Sequence, residues 1–475
     1  MTDPKPDSVE AQLSKASRVV IRDVLHKGRL SLSARTVVAF AFHGLLLLIS
    51  SQARAGMTPD EVQQFESCKV KAEKGDAEAQ FNLGYYFAEA IGIANDNVKA
   101  ASWYRKAADQ GNAKAQYNLG NCYLKGEGIA KDVVQALSWY RKAANQGNAL
   151  AQARLGNHYN DSIATARDSV QAAYWWRKAA EQGDADAQGK LGTCYFLGCG
   201  VAKDLTRALS WYRKAAEQGN TDKQLFLALI YSQGEGILKD SVQAAYWWRK
   251  AAEQGDAEGQ IKLGICYYDG EGVSKDIVQA VYWIRKAAEQ GNSEAQNRLG
   301  VRHLNGEGVD TDFAQAAAWF RKAAEQGHAA AQYNLGILHY AGEGVAKDLD
   351  QAISWWRKAA EQGNVYAQFN LGNIYFTGES VKKDHVQAVF WYRMAAEQGL
   401  AKAQNIMGVR YIYGEGVAKD KIEAYAYWSL ASKPDDDARK NLDILEKKLS
   451  RDEVAAGQKR TKELKNEIEA KQADK

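Results

Sequence analysis

The sequence predicts an all-α chain, a solenoid of stacked helical hairpins, and three observations predict it. Glycine recurs at Gly75, Gly111, Gly147, Gly183, Gly219, Gly255, Gly291, Gly327, Gly363 and Gly399, each 36 residues after the last. A fixed period of about 20–50 residues marks a stacked repeat architecture. Each period holds two Ala-rich stretches of helical length around a turn, as in HAAAQYNLGILHYAGEGVAKDLDQAISWWRKAAEQG from His328 to Gly363. Only four prolines occur, none of them in the first nine periods, so nothing interrupts the helices.

The chain begins with a polar stretch, residues 1–35, that carries Lys15, Arg18, Arg22, Lys27, Arg29 and Arg35. An apolar run from Thr36 to Ser50 follows, then Ala53-Arg54-Ala55. A positive region, an apolar core and small residues at a cleavage site read as a signal peptide over 1–55, cut before Gly56. The run is shorter than the roughly 20 residues a membrane span needs. An uncleaved anchor is the alternative. The long positive region marks either an extended signal or a start downstream of Met1.

Residues 56–75 end in FESCKVKAEKG, which echoes the second helix of the later periods. This segment is read as a capping helix that covers the first repeat, because the outer face of a terminal repeat meets water.

Ten repeats then fill residues 76–435. With the recurrent Gly as position 36, positions 2–14 are expected to form helix A and positions 22–35 helix B. Asp at position 21, as in Asp348, suits the N-cap of helix B. The Gly at position 36 suits a left-handed C′ site. A second Gly, at position 9, falls inside helix A, where it costs about 1 kcal/mol relative to Ala. Its recurrence implies close approach of the two helices. All thirteen Trp residues fall at position 28 or 29 of helix B, an aromatic stripe that reads as core. Repeats one and three carry altered turns, and a local change of curvature at repeat three is an open possibility.

Residues 436–475 are read as C-terminal capping helices and a charged tail. Leu442, Leu445 and Leu449 share one helical face. Ser450 to Glu453 forms a capping-box pattern that would start one more helix, expected to fray into solvent before Lys475.

The pattern AxAQxxLGxxYxxGEGVxKDxxQAxxWxRKAAEQG resembles the Sel1-like repeat, a relative of the tetratricopeptide repeat. The resemblance covers residues 76–435 and implies a right-handed superhelical solenoid with a concave face lined by helix A. It does not by itself imply a substrate; the expected partner is a protein or peptide.

Composition bounds the function. The net charge is +4 from 62 basic and 58 acidic residues, so neither a basic run for nucleic acid nor an acidic tail is present. No cofactor is implied, and a membrane enters only if the N-terminal segment stays uncleaved. Cys122, Cys194 and Cys266 share position 11 two repeats apart, which puts them beyond disulfide reach. They read as buried thiols. Cys194 and Cys199 are close enough in sequence to leave a bridge between them open. His158 completes a Cys-His-Cys ladder at the same position, but zinc ligands must all lie within about 2.3 Å of one ion. No metal site is expected there. His303 and His339 replace the usual Tyr at position 12 and read as packing residues.

Some cysteine-rich Sel1-type proteins resemble β-lactamases or penicillin-binding proteins in assigned activity. Here Ser380-Val381-Lys382-Lys383 matches S-x-x-K, but the accompanying S-D-N and K-T-G motifs are missing. The expected function is therefore non-catalytic, a scaffold that binds a protein or peptide. A cell-envelope enzyme and a secreted factor for a host protein are the alternatives. The expected localisation is periplasmic or secreted.

At about 100° per residue, positions 4, 5, 8, 9 and 12 of helix A form the packing face, and positions 3, 7, 10 and 14 the opposite one. Position 7 is Asn in Asn82, Asn118, Asn334 and Asn370 and basic in Arg154, Lys190, Lys262 and Arg298. Position 10 adds Asn121, Asn157 and Asn373. Amides can bond both groups of an extended peptide backbone, and Arg or Lys can hold a carboxylate. Asn118 and Arg154 in adjoining repeats resemble a tetratricopeptide clamp, in which an Asn before Leu-Gly does this work. These eleven residues are the candidate partner-binding site; a solvated polar face is the alternative.

Overall fold

The computed structural model describes residues 58–91, 95–161, 168–433 and 435–473. The expected signal peptide lies outside the described residues, as does the turn of repeat three at 162–167. Among the described residues there are 23 helices and no strand, which bears out the all-α class. The described residues form two compact units, divided between Ala215 and Ala216.

Both units are built from one local design. Helix A covers positions 2–14 in nine repeats, for example Ala113–Lys125 and Ala329–Ala341. Helix B covers positions 22–34 in nine repeats, as in Val133–Asn145, one residue short of expectation because Gln146 at position 35 is the C-cap. The position-21 Asp caps helix B in all ten repeats; Asp132 accepts from the Gln135 N–H at 3.0 Å. The position-36 glycines hold φ between +90° and +101°. A second cap, at position 1, was not anticipated. Asn112 accepts from the Ala115 N–H at 2.9 Å to start helix A, and only repeat ten, with Leu400, lacks a side chain that can do this.

The position-9 Gly permits the close approach that its recurrence implied. A Cβ on Gly120 would lie 2.6 Å from the ring of Tyr140, the position-29 residue of the same repeat. Gly192 against Tyr212 and Gly336 against Trp356 repeat the contact. Position 29 is buried throughout, and at position 28 Trp139, Trp175, Trp247 and Trp391 are buried while the others are half-buried. The stripe is core, as expected.

The turn glycine at position 17 has a tertiary reason. Gly128 combines φ +70° with a virtual Cβ 1.9 Å from the Asn97 carbonyl oxygen, at the start of helix B of the preceding repeat. Only glycine fits such a contact.

At the N-terminus, helix Pro59–Glu73 starts with a capping box of Thr58 and Glu61. It buries Phe65 against repeat one, where the ring meets Tyr86 edge-on at 5.3 Å. At the C-terminus, helix Asp436–Glu446 buries Leu445. The last helix, Arg451–Ala473, starts at the expected capping box, with the Ser450 N–H 2.8 Å from Glu453 Oε2.

It does not fray as its charge suggested. Leu464 and Ile468 join a core with Met407 and Tyr427. Arg460 holds Glu423 at 2.5 Å and Glu467 at 2.7 Å, and Lys471 holds Glu397 at 2.8 Å. Apolar residues are few in this helix of 23 residues, and the surrounding charges meet partners.

Candidate partner-binding face

Helix A presents positions 7 and 10 beside the ring of position 29 reaching over from helix B. In the first unit this brings Asn118, Arg154 and Lys190 onto three successive repeats. Asn118 faces the hydroxyl of Tyr104, whose ionisation burial pushes far above the ordinary tyrosine range. Arg154 lies against Tyr117, and the Tyr117 hydroxyl raises its already high basicity further. Lys190 Nζ donates to Asn157 Oδ1 at 2.7 Å and to Asp186 Oδ2 at 2.6 Å. Its ammonium lies 5.8 Å from the Trp176 ring. Asn82 is exposed on repeat one, where it lines a pocket of about 660 Å³ against the N-terminal helix.

The position-10 asparagines are not the open surface that helix phase suggested. Asn121 Oδ1 accepts from the Tyr140 hydroxyl at 2.7 Å, Asn157 Oδ1 from Trp176 Nε1 at 3.0 Å, and Asn373 Oδ1 from the Tyr392 hydroxyl at 2.8 Å. Each amide oxygen ties helix A to helix B of its own repeat, and all three residues are half-buried.

In the second unit, Arg298 is held by Glu294 at 2.6 Å. Asn334 Nδ2 donates to Asn297 Oδ1 at 3.1 Å. Lys262 is half-buried on helix A of repeat six. Asn370 and Asn373 line a pocket of about 370 Å³ with Tyr340, Trp356 and Glu379. These last three were missed; their signal is a three-residue pattern split between neighbouring repeats.

Two side-chain ladders behind this face were also missed. The position-30 Arg of one repeat reaches the position-12 Tyr hydroxyl of the next: Arg141 to Tyr159 at 2.7 Å, Arg249 to Tyr267 at 2.8 Å and Arg357 to Tyr375 at 2.7 Å. The position-5 Gln is buried and joins three helix ends. Gln260 donates to the Ala252 carbonyl at 3.2 Å and accepts from Gln290 at 2.8 Å.

Both side chains of the S-x-x-K match face other groups. Ser380 sits at φ +62° and its hydroxyl donates to Asp350 Oδ1 at 2.8 Å, while the Lys383 ammonium lies 5.5 Å from the Phe376 ring. All five cysteines are free thiols, and burial pushes Cys122, Cys194 and Cys266 up to about 11. Among the described residues, no three His, Cys, Asp or Glu side chains form a metal-holding group, and no helix is long and apolar enough to cross a membrane.

The Sel1 repeat family model matches ten consecutive segments, from 77–112 and 113–148 through to 401–433. The chain belongs to the Sel1-repeat family. Sel1-repeat proteins are generally non-catalytic scaffolds that mediate protein–protein interaction. Among solved structures, this Sel1-repeat chain is similar to c5321, a protective antigen of uropathogenic Escherichia coli. Identity is 38%, with a TM-score of 0.63, over 86% of this chain and 97% of that one. It is also similar to a Sel1 repeat protein from Oxalobacter formigenes, at 33% identity and TM-score 0.57, over 69% of this chain and 93% of that one. No curated relative matches the chain.

Proposed function

We propose that this Sel1-repeat protein is a non-catalytic scaffold that binds an extended segment of a partner protein along the helix A face. The observation that carries the reading is the placement of Asn118, Arg154 and Lys190 on adjoining repeats of one compact unit, each beside an aromatic ring. An amide at one repeat can bond a peptide backbone, and cations one and two repeats on can meet acidic side chains. Asp186 already draws on Lys190, so an acidic partner competes with an internal carboxylate rather than with water alone.

Export to the periplasm or the exterior is part of the proposal. It rests on the basic-then-apolar pattern of residues 1–55 and on the likeness to c5321, described as a protective antigen. The catalytic alternative has no support in the surroundings of Ser380, whose hydroxyl is committed to a carboxylate.

The test is capture of envelope proteins by the full chain, beside a variant with Asn118→Ala, Arg154→Ala and Lys190→Ala. A partner held by the wild type and lost by the variant, at equal helicity, supports the reading. A partner held equally by both moves the site elsewhere. Amino-terminal sequencing of exported protein tests cleavage before Gly56, and an intact N-terminus would refute it.

A further inference from the structure

Repeats seven and ten each fill a small cradle with an arginine of their own. In repeat seven, Arg302 at position 11 stacks on Tyr268, with its guanidinium carbon 3.8 Å from the ring centroid, and pairs with Glu307. In repeat ten, Arg410 at position 11 stacks on Phe376 at 3.9 Å and pairs with Glu415 at 2.6 Å. The design is the same both times. The ring comes from position 13 of the preceding repeat and the carboxylate from position 16 of the arginine's own turn. Both arginines are largely withdrawn from water, with side chains 15% and 12% exposed.

Repeat nine has the ring and the carboxylate but not the arginine. Position 13 of repeat eight is Tyr340, position 16 of repeat nine is Glu379, and position 11 is Ile374. The Tyr340 hydroxyl donates to Glu379 Oε2 at 3.3 Å, which brings ring and carboxylate together as in the other two repeats. The Trp356 ring, 5.4 Å from that of Tyr340, forms a further wall. The pocket here measures about 370 Å³, whereas the equivalent space beside Arg302 measures about 190 Å³. Among the described residues, no cation pairs with Glu379. Lys347 is the neighbouring cation, with its exposed ammonium 5.9 Å from the Tyr340 centroid.

We propose that the Tyr340–Glu379 cradle is a binding site for the guanidinium of an arginine supplied by a partner protein. Repeats seven and ten give the occupant its chemistry: a flat cation can lie on the ring and bond the carboxylate at its edge. A lysine ammonium would be a poorer fit, because it is a compact point charge that cannot stack in this way. The proposal rests on the reading that this chain binds proteins, but it uses residues of the second unit that the test above leaves untouched.

The experiment is calorimetric or NMR titration of the full chain with N-acetyl-arginine methylamide and, in parallel, with its citrulline analogue. Citrulline keeps the shape and removes the charge. Saturable arginine binding is expected, with citrulline and the Glu379→Gln variant weaker by about tenfold or more, the scale of a charge-assisted hydrogen bond. Ile374→Arg should abolish binding by filling the cradle from within, as Arg302 and Arg410 do. If Ile374→Arg does not fold, Glu379→Gln alone decides. Equal binding of citrulline, unaltered binding by Glu379→Gln, or no saturable binding to the wild type would each overturn the proposal. The Asn118, Arg154 and Lys190 variant should bind the arginine probe like the wild type, so failure of the scaffold reading and failure of this site are told apart.

Discussion

Gln146 donates its side-chain amide to Gln116 Oε1 at 2.8 Å, and Gln116 in turn donates to the Ala108 carbonyl at 3.1 Å. One buried amide thereby links helix B of its own repeat to the end of helix B of the repeat before it. The position-33 carbonyl lies in the last turn of that helix, and it also accepts from the Gly111 N–H at 3.0 Å, just past the helix end.

Gln116→Ala should therefore destabilise the protein by about 1–3 kcal/mol, because it removes both of these hydrogen bonds and leaves the Ala108 carbonyl with backbone donors alone. Gln146 is exposed, and Gln146→Ala should cost less than half as much. Urea unfolding followed by helicity checks this, and equal costs for the two variants would contradict the assignment.

Gly120→Ala separates helix propensity from packing. In an open helix the change should stabilise by about 1 kcal/mol. Here the new methyl meets the Tyr140 ring at 2.6 Å, so a net loss of about 1–3 kcal/mol is expected from overpacking. Gly120→Ala with Tyr140→Ala should lose less than the sum of the two single changes. Strict additivity would mean that the ring is not what excludes the methyl.

Two other glycines differ in kind. Gly111 has φ +92° with open space around it, so Gly111→Ala should cost only the strain of a left-handed alanine, about 1–2 kcal/mol. Gly128 adds the contact with Asn97, and Gly128→Ala should cost clearly more. A comparison of unfolding midpoints decides, and the reverse order would refute the contact.

Glu294 gives the second unit an acid limit. His328, at 2.8 Å, and then Arg298 hold its carboxyl down to about 2, against 4.5 for a free glutamate. Between these values the unfolded chain binds the proton that the folded chain refuses. The stabilisation is therefore complete above about pH 4.5 and lost as pH falls towards 2. Its size is modest, since the side chain is 43% exposed and screened by solvent and salt. Glu294→Gln should lower the midpoint at neutral pH, and the gap to the wild type should close across this window. A gap independent of pH would reject the account.

Leu464→Ala together with Ile468→Ala should lower stability by about 4 kcal/mol or more if each buried side chain carries the usual 2–5 kcal/mol. Protease cleavage within Arg451–Ala473 should then precede global unfolding. Unchanged resistance would mean that this helix contributes little.

The legible part of the fold was the local part. Asp132 and Gly147 act on backbone groups within a few residues of themselves, so their roles follow from residue type and spacing. The same holds for the position-9 glycines, because a repeated helix-breaking residue has to be offset by a repeated contact. The candidate face was legible only as a set of polar positions. Asn121 and Asn373 read as ligand groups, yet their oxygens bond Tyr140 and Tyr392 across the hairpin. That outcome depends on how far the position-29 ring reaches, which helix phase does not give.

From its own residues the chain determined a 36-residue period, two helices per repeat, their caps and a tryptophan core, because these depend on short-range geometry repeated ten times. Tertiary structure decided what each polar side chain is used for. The carboxylate at position 16 is neutralised by an arginine in repeats seven and ten and stands beside an open pocket in repeat nine. The ring that completes this cradle comes from the preceding repeat, and the folded stack brings it there. The charged last helix is the other instance: its few apolar residues find a core only once repeats nine and ten have formed the surface that receives them.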